Sequence, residues 1–220
     1  MSHKVHPKVF KIRETKDWLS RGFYEKKFPQ FLEEDFEIRK YLKKQLKQAS
    51  VESVEIERSQ TALKVIIKTA RPALVIGRGG EAVESMKRQL ISIVKKIDKN
   101  KKEGASRDVK IEVLEVKNPW ASASLTAQWM AGQIEKMMPF RRVLKMSLSR
   151  LMEQKEVKGA KVQVSGRLNG VEIARKEWLS EGRLPRQSMR AIIDYGFTEA
   201  YCTYGAIGIK VWVYKGDKFD

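Results

Sequence analysis

The chain has 220 residues, with 45 Lys and Arg against 27 Asp and Glu, a net charge of +18 and a pI near 9.9. That self-repulsion points to a polyanionic partner, nucleic acid before an anionic membrane surface. The single cysteine, Cys202, excludes an internal disulfide and a Cys-rich zinc site, and two histidines, His3 and His6, fall short of a metal ligand set.

Length and regularly spaced Val, Ile and Leu predict two small folded cores. No stretch approaches the roughly 20 apolar residues of a membrane span. MSHKVHPKVF lacks the apolar centre of a signal peptide, so a cytoplasmic location is expected.

Residues 1–34 read as a basic, aromatic arm. Trp18, Phe23, Tyr24, Phe28 and Phe31 interleave with Lys and Arg, and Pro7, Gly22 and Pro29 punctuate them. The aromatics are expected to dock on the domain that follows, with base stacking as the alternative. Asp35 then reads as an N-cap, ahead of Ile38, Leu42, Gln45, Leu46 and Ala49 at helical spacing. VESVEIERS and LKVIIKT alternate as a hairpin with one buried face. Pro72 opens a short helix carrying Leu74, Val75 and Ile76. After a glycine turn, Val83, Met86, Leu90, Ile93, Val94 and Ile97 mark one face of a long helix, and DVKIEVLEV follows as a strand.

Asn118-Pro119 reads as a cap and first helical residue for a helix running towards Met138. Pro139 starts another, with Phe140, Val143, Leu144, Leu148 and Leu151 on its apolar side. Beyond Lys161 come the strand-like segments KVQVSGR, VEIARKEW, AIIDYGFTEAYCTYG and IGIKVWVYKG, separated or bent by glycines. The expected architecture is α+β. It has an arm (1–34), an RNA-binding domain (35–117), and a second unit (118–220) with two helices packed on a mainly antiparallel sheet.

The glycine turn carries the first functional signal. Gly77-Arg78-Gly79-Gly80-Glu81-Ala82 matches G-x-G-x-x-[G/A], and Asp98 lies about 20 residues on, where a ribose-binding acid would stand. The context opposes a dinucleotide: Asp98 ends a predicted helix among lysines, and a hairpin rather than a crossover precedes the turn. There is no Walker motif. Read instead as G-x-x-G between two helices, Gly77 to Gly80 is the clamp of a KH domain, which grips a nucleic-acid backbone. Bare glycines let phosphate approach the main chain, and the next helix offers free N–H groups and its positive dipole end. Arg78 adds charge, and Arg71, Lys87 and Arg88 flank the clamp. From Arg71 to Lys102 there are nine Lys or Arg and three Asp or Glu. A hairpin ahead of the clamp is the order of a type II KH domain.

The second signal is a basic ridge. Arg141, Arg142 and Lys145 share an arc of about 100° on a helix, and no acid interrupts that helix before Glu153. Further basic residues sit beside glycine turns, among them Arg167, Arg175 and Arg183. There is no zincin motif, no nucleophile elbow and no Cys/His pair, so no enzyme, cofactor, metal or small-molecule substrate is expected. A metal-dependent nuclease or a lyase would need an acid cluster or a low-pKa lysine, and neither shows.

Across nearly its whole length the chain resembles bacterial small-subunit ribosomal protein S three. The matching stretches are ARPALVIGRGGE, PFRRVLKMSLSRLMEQKEVKGAKVQVSGRLNGVEIARKEW, EGRLPRQSMRAIIDYG and TYGAIGIKVWVYKG, together with the opening KVHP. The resemblance implies a structural constituent in the head of the small subunit, bound to small-subunit rRNA and to ribosomal proteins S ten and S fourteen. It also implies that Arg141, Arg142 and Lys145 line the mRNA entrance and assist mRNA unwinding. Lys4, His6, Arg167, Arg175 and Arg183 become rRNA-contact positions. The sequence departs from the family at Gly79, where a second basic residue is common, and at KVFKIRE near the N-terminus. The competing reading is a free regulatory KH factor that binds transient RNAs.

Overall fold

The computed structural model describes residues 5–12, 17–22, 28–59, 62–100 and 108–218. By internal packing the chain forms two units, Trp18–Lys117 and Met1–Asp17 with Asn118–Asp220, so residues of the expected arm fall in both. Lys4, Phe23 and Tyr24 lie outside the described residues.

In the unit Trp18–Lys117 the elements are β1 (Ser20–Gly22), α1 (Phe28–Gln45), β2 (Val51–Arg58), β3 (Ala62–Thr69), α2 (Pro72–Ile76), α3 (Glu81–Asn100) and β4 (Asp108–Glu115). The sheet order is β1-β2-β3-β4, with β2 and β3 antiparallel and the outer pairs parallel. Leu63, Val65 and Ile67 alternate onto one face of β3 and are fully buried. Ile38 and Leu42 of α1, Val75 of α2, and Met86, Leu90 and Val94 of α3 close that face into one core. The order of elements is that of a KH domain of the predicted type.

α1 does not begin at Asp35. It starts at Phe28, and Pro29 sits in its first turn, where a missing N–H costs nothing. Asp35 is instead a buried mid-helix residue, as is Glu34. Both face Arg58 at the end of β2. Arg58 Nη1 donates to Glu34 at 2.5 Å, and Nη2 donates to Asp35 at 2.5 Å. The Phe31 ring lies 4.8 Å from the same guanidinium. A capping signal and a buried ion-pair partner look alike in sequence, because both are an acid ahead of an apolar run. Among the described aromatics of the arm, Phe31 docks as expected. Trp18 and Phe28 are more than half exposed.

The second unit contains α4 (Ala123–Glu135), α5 (Phe140–Met152), β5 (Gly159–Gly166), β6 (Arg175–Gly182), β7 (Ala191–Cys202) and β8 (Gly205–Asp217). Its sheet is antiparallel throughout, in the order β6-β5-β8-β7. One face is covered by α4 and α5. There Met130, Val143, Leu144 and Leu151 pack on Val162, Val164, Ile209 and Val211. Pro119 opens only a 3₁₀ turn, Pro119–Ala121. The helix proper starts at Ala123, whose N–H donates to Asp194 Oδ2 of β7 at 2.9 Å. The cap is thus supplied across 71 residues rather than by Asn118, which donates to Glu156. VEIA of the predicted strand VEIARKEW is not strand: β6 begins at Arg175, and Ile173 is exposed.

A small third core joins Ile193, Tyr195, Trp212 and Tyr214 on the opposite face of the sheet. N-terminal residues lie against its margin. His6 meets Tyr195 edge-on at 5.0 Å, Lys8 pairs with Asp194 at 3.3 Å, and buried Lys11 donates to the Ala191 carbonyl at 2.8 Å.

Candidate nucleic-acid interface

The glycine turn joins α2 to α3. Val75 anchors α2 in the core, which leaves Leu74 and Ile76 54% and 42% exposed beside the turn. These two aliphatic side chains form an exposed apolar patch next to the glycines. Gly77 has φ +74°, and a Cβ there would stand 2.7 Å from the Ala82 Cβ on α3. Glycine is therefore required at this position by backbone and packing together. Gly79 and Gly80 also have positive φ, +59° and +85°, but a Cβ on either meets nothing within 4 Å. Their bareness leaves main chain accessible to a ligand. A basic side chain would fit at position 79, at about 1–2 kcal/mol of left-handed strain.

Arg71, Arg78 and Arg88 are exposed, with no ion pair among the described residues. Lys87 reaches Asp108 at 3.7 Å. The first turn of α3 also holds Glu81 and Glu84. These acids answer the helix dipole and would oppose a phosphate, while the exposed arginines would favour one. Asp98 lies inside α3 rather than at the end of a strand, which is the arrangement that disfavours a dinucleotide.

The basic ridge lies on α5. Arg141, Arg142 and Lys145 are all exposed, while Phe140, Val143, Leu144 and Leu148 turn inward. The ridge is less uniform than the local sequence suggests. Arg141 Nε stands 3.4 Å from Glu177 of β6, and Arg175 Nε reaches the same carboxylate group at 3.4 Å. That acid lies 36 residues away, so no local count could find it. The Arg141 pair is largely solvated and weak. Arg142 and Lys145 have no acid partner among the described residues. Lys145 also borders a groove of about 450 Å³ between α5 and β6, with Leu148, Met152 and Leu179 along it.

The other candidate contacts are scattered. Arg167 donates through Nε to the Val171 carbonyl and lies 5.9 Å from the Tyr204 ring. Arg183 is exposed. Burial, and then the Lys8 charge, lower the pKa of His6, so at pH 7 it offers a neutral ring rather than a cation. Among the described residues no His, Cys, Asp and Glu come together as a metal site, and no helix is long and apolar enough to cross a membrane.

The profile of the KH domain matches residues 37–121, and that of "Ribosomal protein S3, C-terminal domain" matches residues 130–213. Small ribosomal subunit protein uS3 of Endomicrobium trichonymphae is 45% identical over 100% of this chain and 90% of its own length. The chain belongs to the uS3 family of small ribosomal subunit proteins. The uS3 proteins of Caldicellulosiruptor saccharolyticus and Desulfitobacterium hafniense are 44% and 45% identical over 99% of the chain, and are covered over 93% and 94% of their own lengths. A uS3 protein is a ribosomal protein and not an enzyme. Its KH clamp, its excess of cations and its two α+β units suit RNA binding in translation.

Proposed function

We propose that this uS3 protein grips RNA at two places in the head of the small subunit. Residues 35–117 act as the KH domain. There Gly77 to Gly80, with Arg71, Arg78, Lys87 and Arg88, hold a strand of small-subunit rRNA by its backbone. In the unit 118–220, Arg141, Arg142 and Lys145 of α5 line the mRNA entrance and hold single-stranded mRNA as it leaves its hairpins. Lys4, His6, Arg167, Arg175 and Arg183 add rRNA contacts, and the neighbouring proteins are S ten and S fourteen.

The supporting observation is the pair Arg142 and Lys145, exposed on one helix face without an acid partner among the described residues. Unpaired cations on a rigid helix gain from phosphate what paired ones have already lost. The protein itself supplies no motion. A fixed basic surface favours the open strand, and movement of the ribosome along mRNA does the rest.

The test is the salt dependence of single-stranded RNA binding. Each phosphate contact removed should reduce the log-log slope by about 0.7 for single strands. Arg141→Ala with Arg142→Ala and Lys145→Ala should therefore flatten the slope by about 2. An unchanged slope would move mRNA contact elsewhere. If the native protein also left small subunits at moderate salt, a free KH factor would be the better reading.

A further inference from the structure

The helices cover one face of the C-terminal sheet, and among the described residues the opposite face is covered at one end, where Ile193, Tyr195, Trp212 and Tyr214 form the small third core. The strand register sets its side chains in rows. Trp178 of β6 pairs with Gln163 of β5, Gln163 with Lys210 of β8, and Lys210 with Phe197 of β7. These four therefore form one row across all four strands. On one side the next row is Lys176, Ser165, Gly208 and Glu199. On the other it is Ser180, Lys161, Trp212 and Tyr195.

Among the described N-terminal residues, His6 meets the face at its Tyr195 corner. Trp178 and Phe197 stay 51% and 50% exposed at the two ends of the middle row. Between them Gln163 is 8% exposed, and its amide makes no hydrogen bond among the described residues. Lys161 Nζ lies 3.9 Å from the Trp178 ring centroid, and Lys210 Nζ lies 5.9 Å from that of Phe197. The three rows hold three lysines and one acid, Glu199, which accepts a hydrogen bond from the Tyr201 hydroxyl at 3.0 Å. They hold no aliphatic side chain.

We infer that this face binds single-stranded RNA by stacking bases on Trp178 and Phe197. It is a surface separate from the clamp and the ridge. Exposed aromatic rings on the face of an open four-stranded sheet are a general platform for unstacked bases. The two rings are three strand spacings apart, about 14 Å, so each takes its own base. The Gln163 amide, on the row between them, can read a base edge. Lys161, Lys176 and Lys210 meet the phosphates. Glycine at position 208 keeps space beside Phe197, whose ring would stand 3.6 Å from a Cβ there. A protein partner would call for aliphatic surface and a more balanced charge.

The test uses the full chain with the other two surfaces weakened by Arg78→Glu, Arg141→Ala, Arg142→Ala and Lys145→Ala. A fluorescein-labelled, twelve-nucleotide single strand of mixed sequence is titrated and read by anisotropy. Adding Trp178→Ala with Phe197→Ala should weaken binding at least tenfold. Trp178→Phe with Phe197→Tyr should hold it within twofold, since both pairs remain aromatic. A parent that binds no RNA, an alanine pair that binds as tightly as its parent, or a conservative pair that loses as much as the alanine pair each overturns the inference. In intact small subunits, ultraviolet crosslinks from Trp178 should run to RNA. Crosslinks from Lys161 and Lys210 to a neighbouring protein, with none from Trp178 to RNA, would assign the face to that protein instead.

Discussion

Replacing Arg58 with Met should destabilise the KH unit by about 3–5 kcal/mol, because it takes the positive charge away from two buried carboxylates. Arg58 is 8% exposed, Glu34 0% and Asp35 3%. Three of its contacts are charge-assisted, to Glu34 and twice to Asp35. Methionine fills similar space but returns none of them. The acids sit in the second turn of α1, so their repulsion acts directly on the helix that closes the core. The pair of acids without its base is the costly state, not the absence of the triad. Glu34→Leu and Asp35→Leu added to Arg58→Met should therefore recover much of the loss. Urea denaturation, with hydrogen exchange of β2 and β3 amides to localise the opening, measures both. A single variant that costs under about 1 kcal/mol would contradict the burial that defines the triad.

The second large effect is at Gly196. A Cβ there would stand 2.3 Å from the Ala123 carbonyl oxygen and 2.7 Å from the Ser124 nitrogen. Both are backbone atoms at the start of α4, so no side chain can rotate away. Two residues earlier, Asp194 accepts the Ala123 N–H. β7 thus both caps the helix and touches it. Gly196→Ala must push α4 off the strand, straining the packing and the charged cap together. The expected cost is about 3 kcal/mol. The same change at Gly132, further along α4, has the opposite sign. No atom lies within 4 Å of its Cβ, so alanine should stabilise the helix by about 0.5–1 kcal/mol. Thermal melting of the two variants beside the parent should shift in opposite directions, and equal shifts would undo the argument.

Both effects show where reading the chain alone succeeds and stops. The faces of α3 and α5 were legible, because Met86, Leu90 and Val94, and Val143, Leu144 and Leu151, repeat at helical spacing. The clamp was legible as a motif, but its reason was only half so. Gly79 and Gly80 stand in open space with positive φ, as the motif reading expects, while Gly77 is tied to Ala82 by packing that no spacing rule encodes. Asp35 was misread because its partner, Arg58, is a neighbour only after β2 folds back. Glu177 and Asp194 escaped for the same reason: one lies beside the ridge and the other caps α4, each across a long stretch of chain. The aromatic row is the extreme case. Trp178, Gln163, Lys210 and Phe197 come from four strands, and only the sheet register makes them one surface.

The central claim is that the α5 ridge works on structured mRNA. Its most direct test is the rate at which ribosomes carrying Arg141→Ala, Arg142→Ala and Lys145→Ala pass an mRNA hairpin, compared with an unstructured message. Slow passage through the hairpin, with normal subunit assembly and normal rates on the open message, is the predicted result. Equal rates on both messages would contradict it, and would leave the ridge as a solvated helix face.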